Sequence, residues 1–199
     1  MNKTMIIFKR FERFWHWAQA VLVLLLIATG LELHGLIVLF GFGSSVELHQ
    51  WSGFIWAALV VLIFTWVFTT GEWKQFVPET KGIDGVIRYY LYGVFVGDKH
   101  PHHMTPQSKF NPLQRIAYLG LLFGLVPLQV ITGLLFFFFP ELRAAGVMES
   151  IEVVAIIHTF CAYCIIAFLI IHLYLITLGA KLSSHLKAMV TGKETVNDE

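Results

Sequence analysis

Four stretches of this chain are long and apolar enough to cross a bilayer: about residues 14–34, 47–70, 114–139 and 151–179. Each is near the roughly 20 residues that the hydrocarbon thickness requires of a helix. The residues are 57% hydrophobic and 14% charged, where a soluble domain carries about 25% charged. Mean hydropathy is +0.71. The expectation is an all-α membrane protein, one integral domain over residues 1–199 built as a four-transmembrane-helix bundle. The net charge of +1 says nothing about nucleic acid, but no basic tract or recognition motif is present, and no nucleic-acid partner is expected. The apolar run from Phe14 to about Leu33 outlasts the apolar region of a signal peptide, and no small-residue cleavage site follows it cleanly. It is expected to be a retained span.

The flanks orient the spans. Lys3, Lys9, Arg10 and Arg13 precede the first. Lys74, Lys81, Arg88, Lys99, Lys109 and Arg115 lie in or beside the segment between the second and third, and Lys181, Lys187 and Lys193 follow the fourth. Only Arg143 falls on the other side. The positive-inside rule then puts both termini and the middle loop, about 71–113, in the cytoplasm, in a cell's inner (plasma) membrane. Trp15, Trp17, Trp51, Trp73 and Tyr174 fall near the expected boundaries, as interfacial aromatics do. Within the middle loop, "GIDGVIRYYLYGVFV" is amphipathic enough for a helix lying along the cytoplasmic surface.

A polar imidazole in hydrocarbon is costly, yet the fourth span, "IIHTFCAYCIIAFLIIHLYL", carries both His158 and His172. Fourteen residues rise about 21 Å along a helix and return to within about 40° of the same face. One helix thus presents two imidazoles to the bundle interior at two depths. His16, at the cytoplasmic start of the first span, matches the depth of His172. His49, at the outer start of the second, matches His158. Two histidines at one level can clamp a flat iron macrocycle from both faces, so two bis-histidine haems are expected, with His16, His172, His49 and His158 as the iron ligands. Gly30, Gly53, Gly120, Gly124 and Gly133 remove side chains from helix faces, which suits a porphyrin or close helix packing.

Other polar residues have weaker claims. His34 could compete with His49. His100, His102 and His103 form a solvated cluster, and His185 follows the last span. Cys161 and Cys164 form "CAYC" followed by Ile165, so they are not a c-type haem attachment site; a packing role is expected.

The segments "RFWHW", "ELHQWSG" and "KFNPLQRIAY", with His-x13-His in the fourth span, resemble the cytochrome b family that includes the gamma subunit of formate dehydrogenase N. Similar four-helix subunits anchor thiosulfate-reductase-like enzymes and some hydrogenases. The resemblance runs from about residue 8 to 185. It implies two b haems with the same histidine pairing, and a quinone (menaquinone or ubiquinone) beside the inner haem. There Asn111 would line the site, with Gln114 and the region of His172 close by. "FNPLQR" is also a helix-start signature in its own right, and both roles can coexist. Arg10, Arg13 and Arg115 could pair with haem propionates or simply form the positive flank.

The expected function is transmembrane electron transfer. Electrons would pass between an iron–sulfur or multihaem partner on the outer face and a quinone near the cytoplasmic face. No iron–sulfur cysteine set, nucleotide motif or molybdenum-cofactor motif is present, so a catalytic subunit is expected elsewhere in a complex. The outer loops, about 35–46 and 140–150, are its expected landing surface. Two other readings are a stand-alone cytochrome b561-type quinone oxidoreductase, for which a shorter middle loop is expected, and a proton-coupled transporter. The scarcity of intramembrane acids and the lack of an internal repeat argue against the transporter.

Overall fold

The computed structural model describes residues 2–98, 101–102, 105–178 and 184–197. Lys99, His100, His103, Lys181 and the end of the fourth span at 179 lie outside the described residues. The elements run β1 (Asn2–Ile6), α1 (Arg10–Leu33), α2 (Phe42–Thr70), a 3-10 turn (Glu72–Phe76), α3 (Ile83–Arg88), a π turn (Tyr89–Gly93), α4 (Val94–Val96), α5 (Pro112–Gly120), a second π turn (Leu121–Leu125), α6 (Val126–Phe137), α7 (Phe139–Ala144), α8 (Glu152–Ile176), α9 (Ser184–Thr191) and β2 (Lys193–Asn197). Among the described residues four helices are long and apolar enough to span: α1, α2, the run Pro112–Phe137, and α8. Their windows are only 6% to 22% buried, so their apolar side chains are left for lipid.

The chain divides into two compact units, residues 1–14, 66–123 and 170–199, and residues 15–65 and 124–169.

In the first unit β1 pairs antiparallel with β2, Asn2 opposite Asn197 and Ile6 opposite Lys193. Sequence reasoning missed this sheet. It joins the two ends of the described chain. Gly192 closes it. Its φ of +80 lies in the left-handed region, and a Cβ there would come within 2.6 Å of the Phe8 carbonyl oxygen, so only glycine fits. The middle loop is built, not slack: α3, the π turn and α4 form one helical run over the expected segment. Val86 is buried on it while Ile87, Leu91 and Phe95 are exposed, the i, i+4, i+8 stripe of an interfacial helix.

Lys109 pins this loop. Only 3% of its side chain is exposed, and its Nζ lies 2.6 Å from Glu12 and 2.9 Å from Glu72. Lys9 closes the cluster on Glu72, and its backbone N–H donates to the Glu12 carboxylate at 2.6 Å. That bond caps α1, which is why the helix begins at Arg10, four residues before the apolar run.

In the second unit α2 begins at Phe42 rather than near 47. Glu32, 6% exposed, accepts hydrogen bonds from the backbone N–H of Phe40 (3.0 Å) and Gly41 (2.8 Å) and from the Ser45 hydroxyl (2.6 Å). A carboxylate at a helix N-terminus stabilises its unpaired amides, so Gly43 and Ser44, which read as loop residues, are wound into the first turn. The third span is widened just before Pro127. Proline has no N–H for the carbonyl four residues back, and its ring crowds that oxygen; a π turn absorbs the misfit.

Burial alone would raise Glu72, but the hydrogen bonds and charges of Lys9 and Lys109 prevail and hold it below its usual 4.5. A carboxyl with a depressed pKa contributes stability in full above its unfolded value and loses it as pH falls through its folded value. The solubilised protein is therefore expected to melt at lower temperature as pH drops from about 5 towards 3, and Glu72→Gln to flatten that limb. Lys109→Met, which leaves two carboxylates without their buried cation, is expected to cost about 3–5 kcal/mol. A melting temperature equal to wild type would show that the cluster carries no stability.

Candidate functional site

The second unit holds an open cavity of about 460 Å³, within the roughly 300–1,000 Å³ usual for ligand sites. Apolar and aromatic residues dominate its wall, Phe54, Trp56, Phe137 and Tyr163 among them. His49 of α2 and His158 of α8 also line it. Their ring centroids stand 6.4 Å apart at an interplanar angle of 70°. A metal–imidazole bond is about 2.0–2.1 Å, so rings this far apart are near enough to share one ion. His34 lines the same cavity, but it is the His49 ring that faces His158.

Each imidazole rests on a neighbouring helix in the same way. Nδ1 of His49 is 2.8 Å from the Thr29 hydroxyl of α1. Nδ1 of His158 is 2.9 Å from the Thr132 hydroxyl of α6. The next residue in each case is glycine. A Cβ on Gly30 would meet His49 Cε1 at 3.5 Å, and one on Gly133 would meet His158 Cε1 at 3.3 Å. These two glycines therefore make room for the histidine rings, where a porphyrin face or close helix packing was expected. Gly53, also on the cavity wall, has nothing within 4 Å of its would-be Cβ, as does Gly120. Cys161 is buried, as expected of a packing residue.

The donor set fits a metal that brings its own equatorial ligands. Among the described residues there is no group of three or more His, Cys, Asp or Glu placed to hold a bare ion, while two opposed imidazoles suit an iron macrocycle. Two further buried polar atoms belong to residues on the cavity wall and have no hydrogen-bond partner: Trp56 Nε1 and Gln129 Oε1. Such orphans are uncommon in a finished apolar core. The Gln129 amide nitrogen lies 3.1 Å from His158 Nε2, at the position a metal would take. Thr29, Thr132 and Gln129 were missed by sequence reasoning. The signal was there, in "LLIATG" (25–30) and "LQVITG" (128–133), a short repeat hidden by the apolar background.

The other expected site residues are distributed over both units. His16, on α1 in the second unit, has its ring 5.3 Å from that of Trp17, at 88°. His172, on α8 in the first unit, is half-buried. Asn111 is 1% exposed and caps α5: its Oδ1 accepts from Gln114 N at 2.9 Å, and Gln114 Oε1 accepts from Asn111 N at 3.0 Å. The capping box read from "FNPLQR" is thus formed. The Asn111 amide also donates to the Tyr90 hydroxyl at 3.1 Å, a partner the sequence did not suggest. Burial pushes the Tyr90 phenol above its usual 10.0, against the opposing Asn111 bond, so it stays protonated at neutral pH. Arg115 is engaged by Ser108, the Phe110 carbonyl and Glu79, and Arg13 by the Val190 carbonyl. These contacts give both arginines local structural work.

Comparison with known proteins shows the family. Residues 7–192 match the family model described as prokaryotic cytochrome b561. The protein of Escherichia coli (strain K12) named "Putative cytochrome YdhU" is 33% identical over 198 residues, covering 94% of this chain and 73% of that one. No solved structure matches. With four apolar helices and two opposed imidazoles in one cavity, the chain belongs to the prokaryotic cytochrome b561 family, as a multi-pass membrane cytochrome that binds haem b for electron transfer.

Proposed function

We propose that this chain is the dihaem membrane subunit of a respiratory oxidoreductase, similar to the gamma subunit of formate dehydrogenase N. It would carry electrons between an outer-face iron–sulfur or multihaem partner and a quinone near the cytoplasmic face. The observation that carries the reading is the His49–His158 pair, 6.4 Å apart across an apolar cavity. These residues would hold one haem b, and His16 with His172 the second. The inner pair is supported by the fourteen-residue spacing on α8, which returns His172 to the face of His158 at another depth. Bound haem b supplies one-electron exchange at iron, tuned by its axial ligands and burial.

The chain's own residues do the rest. Phe54, Phe137 and Trp56 give the cavity an apolar aromatic wall, and a low-dielectric surrounding strengthens electrostatic interactions. At the quinone side the reading rests on Asn111, Gln114 and Tyr90. The cap uses Asn111 Oδ1 and one bond goes to Tyr90; Asn111 has a second amide hydrogen. This reading assigns the Asn111 amide, with the Tyr90 hydroxyl it is bonded to, to a quinone carbonyl. The positive-inside count supports cytoplasmic termini, and the pairing of the two ends accords with it. The length of the middle loop supports a subunit over a stand-alone enzyme, for which a shorter loop is expected.

A pyridine haemochrome assay on the purified chain is expected to give two b haems. Alanine at His49 or His158 is expected to remove one haem, and alanine at His16 or His172 the other, each leaving one. Loss of both haems or of neither, in a folded protein, would make the pairing wrong. Co-purification from native membranes separates the subunit from the stand-alone reading: a chain that arrives without partners supports the latter.

Asn111→Ala and Tyr90→Phe are expected to slow quinone turnover several-fold with haem content intact. The lost cap should also lower stability by about 1 kcal/mol in Asn111→Ala. Unchanged quinone kinetics in both variants would leave Asn111 as a helix cap alone.

A further inference from the structure

Each candidate outer ligand is seated by the same pair of residues on a different helix. In α1 the Thr29 hydroxyl lies 2.8 Å from the Leu25 carbonyl and 3.2 Å from that of Leu26. In α6 the Thr132 hydroxyl lies 2.8 Å from the Leu128 carbonyl and 3.1 Å from that of Gln129. A hydroxyl has one proton, and carbonyl oxygens only accept. The threonine proton is therefore committed to its own helix, and towards the imidazole the hydroxyl can only accept. Nδ1 of each histidine must then carry the ring proton, at 2.8 Å from Thr29 and 2.9 Å from Thr132. A neutral ring protonated at Nδ1 has its lone pair on Nε2.

A separate contact on α6 agrees. His158 Nε2 lies 3.1 Å from the Gln129 amide nitrogen, which can only donate, so Nε2 is an acceptor there. The glycine after each threonine completes the seat, letting the Cε1 edge of each ring lie against the helix.

We propose that Thr29-Gly30 and Thr132-Gly133 are duplicate ligand seats, in which Thr29 and Thr132 are positioning residues. They fix the tautomer and plane of His49 and His158 and raise the basicity of Nε2 towards the iron. The inference rests on the reading of His49 and His158 as axial ligands. A partner that accepts the outer N–H of a ligating imidazole raises its donor strength, and a stronger donor favours ferric over ferrous iron. Both threonines therefore hold the potential of the same haem down, and the 70° between the ring planes is set by two independent hydrogen bonds.

The test is a redox titration of the dihaem protein with Thr29→Val, Thr132→Val, Thr29→Ser and Thr132→Ser, alongside His158→Ala to identify the outer haem. Each valine variant is expected to raise the midpoint of that haem by about tenfold in its reduction equilibrium, about 59 mV for one electron. The other haem should not shift. The low-spin ferric resonance of the outer haem should change as one ring is released, and serine should restore both readouts. If valine variants do not assemble, Thr29→Cys and Thr132→Cys decide: a thiol is a weak acceptor, so a smaller upward shift is expected.

Valine or cysteine variants with full haem, unshifted potential and unchanged resonance would overturn the proposal. So would equal shifts of both haems, or failure of serine to restore. If His158→Ala keeps both haems, the ligand reading itself has failed. If it loses one while the threonine variants are silent, only this inference has.

Discussion

Every polar group in the apolar part of this molecule needs a partner from the chain itself, because hydrocarbon offers none. That constraint organises the second unit. The Glu32 carboxylate takes the amides that open α2, and in doing so fixes the helix that presents His49. The Thr29 hydroxyl is bonded into α1 and still accepts from His49. Thr132 does the same for His158. Each imidazole is thus held at Nδ1 by a threonine of a neighbouring helix. A site of this kind is prepared before its cofactor arrives, which lowers the cost of binding.

The first unit meets the constraint with charge. Lys109 is almost fully buried, and Glu12 and Glu72 neutralise it. Because Glu12 sits on α1, Glu72 on the turn after α2, and Lys109 two residues before the cap of α5, one cluster ties three segments together. Buried ion pairs add little net stability over an apolar substitute but penalise any arrangement that separates them. Here the arrangement kept is the one that holds Asn111, Gln114 and Tyr90 in contact.

Much of this was legible in the sequence. The four spans, the surface helix of the middle loop and the Asn111–Gln114 cap follow from apolar length, amphipathic spacing and capping chemistry. His49 and His158 stood out because a polar ring in an apolar span needs a reason. The start of α2 was misplaced because Gly43, Ser44 and Ser45 read locally as loop, while a carboxylate ten residues upstream winds Phe42 onward into helix. Thr29 and Thr132 were passed over because a threonine in an apolar helix ordinarily bonds its own i−4 carbonyl, as these two also do.

By itself, the sequence determined that this chain crosses a membrane as helices and carries imidazoles at two depths, since both follow from periodicity and transfer cost along one helix. Tertiary structure decided what touches what. The facing of His49 and His158, the threonine that fixes each tautomer, the pairing of β1 with β2 and the burial of Lys109 all depend on rotation and register between segments distant in sequence, which no local pattern encodes.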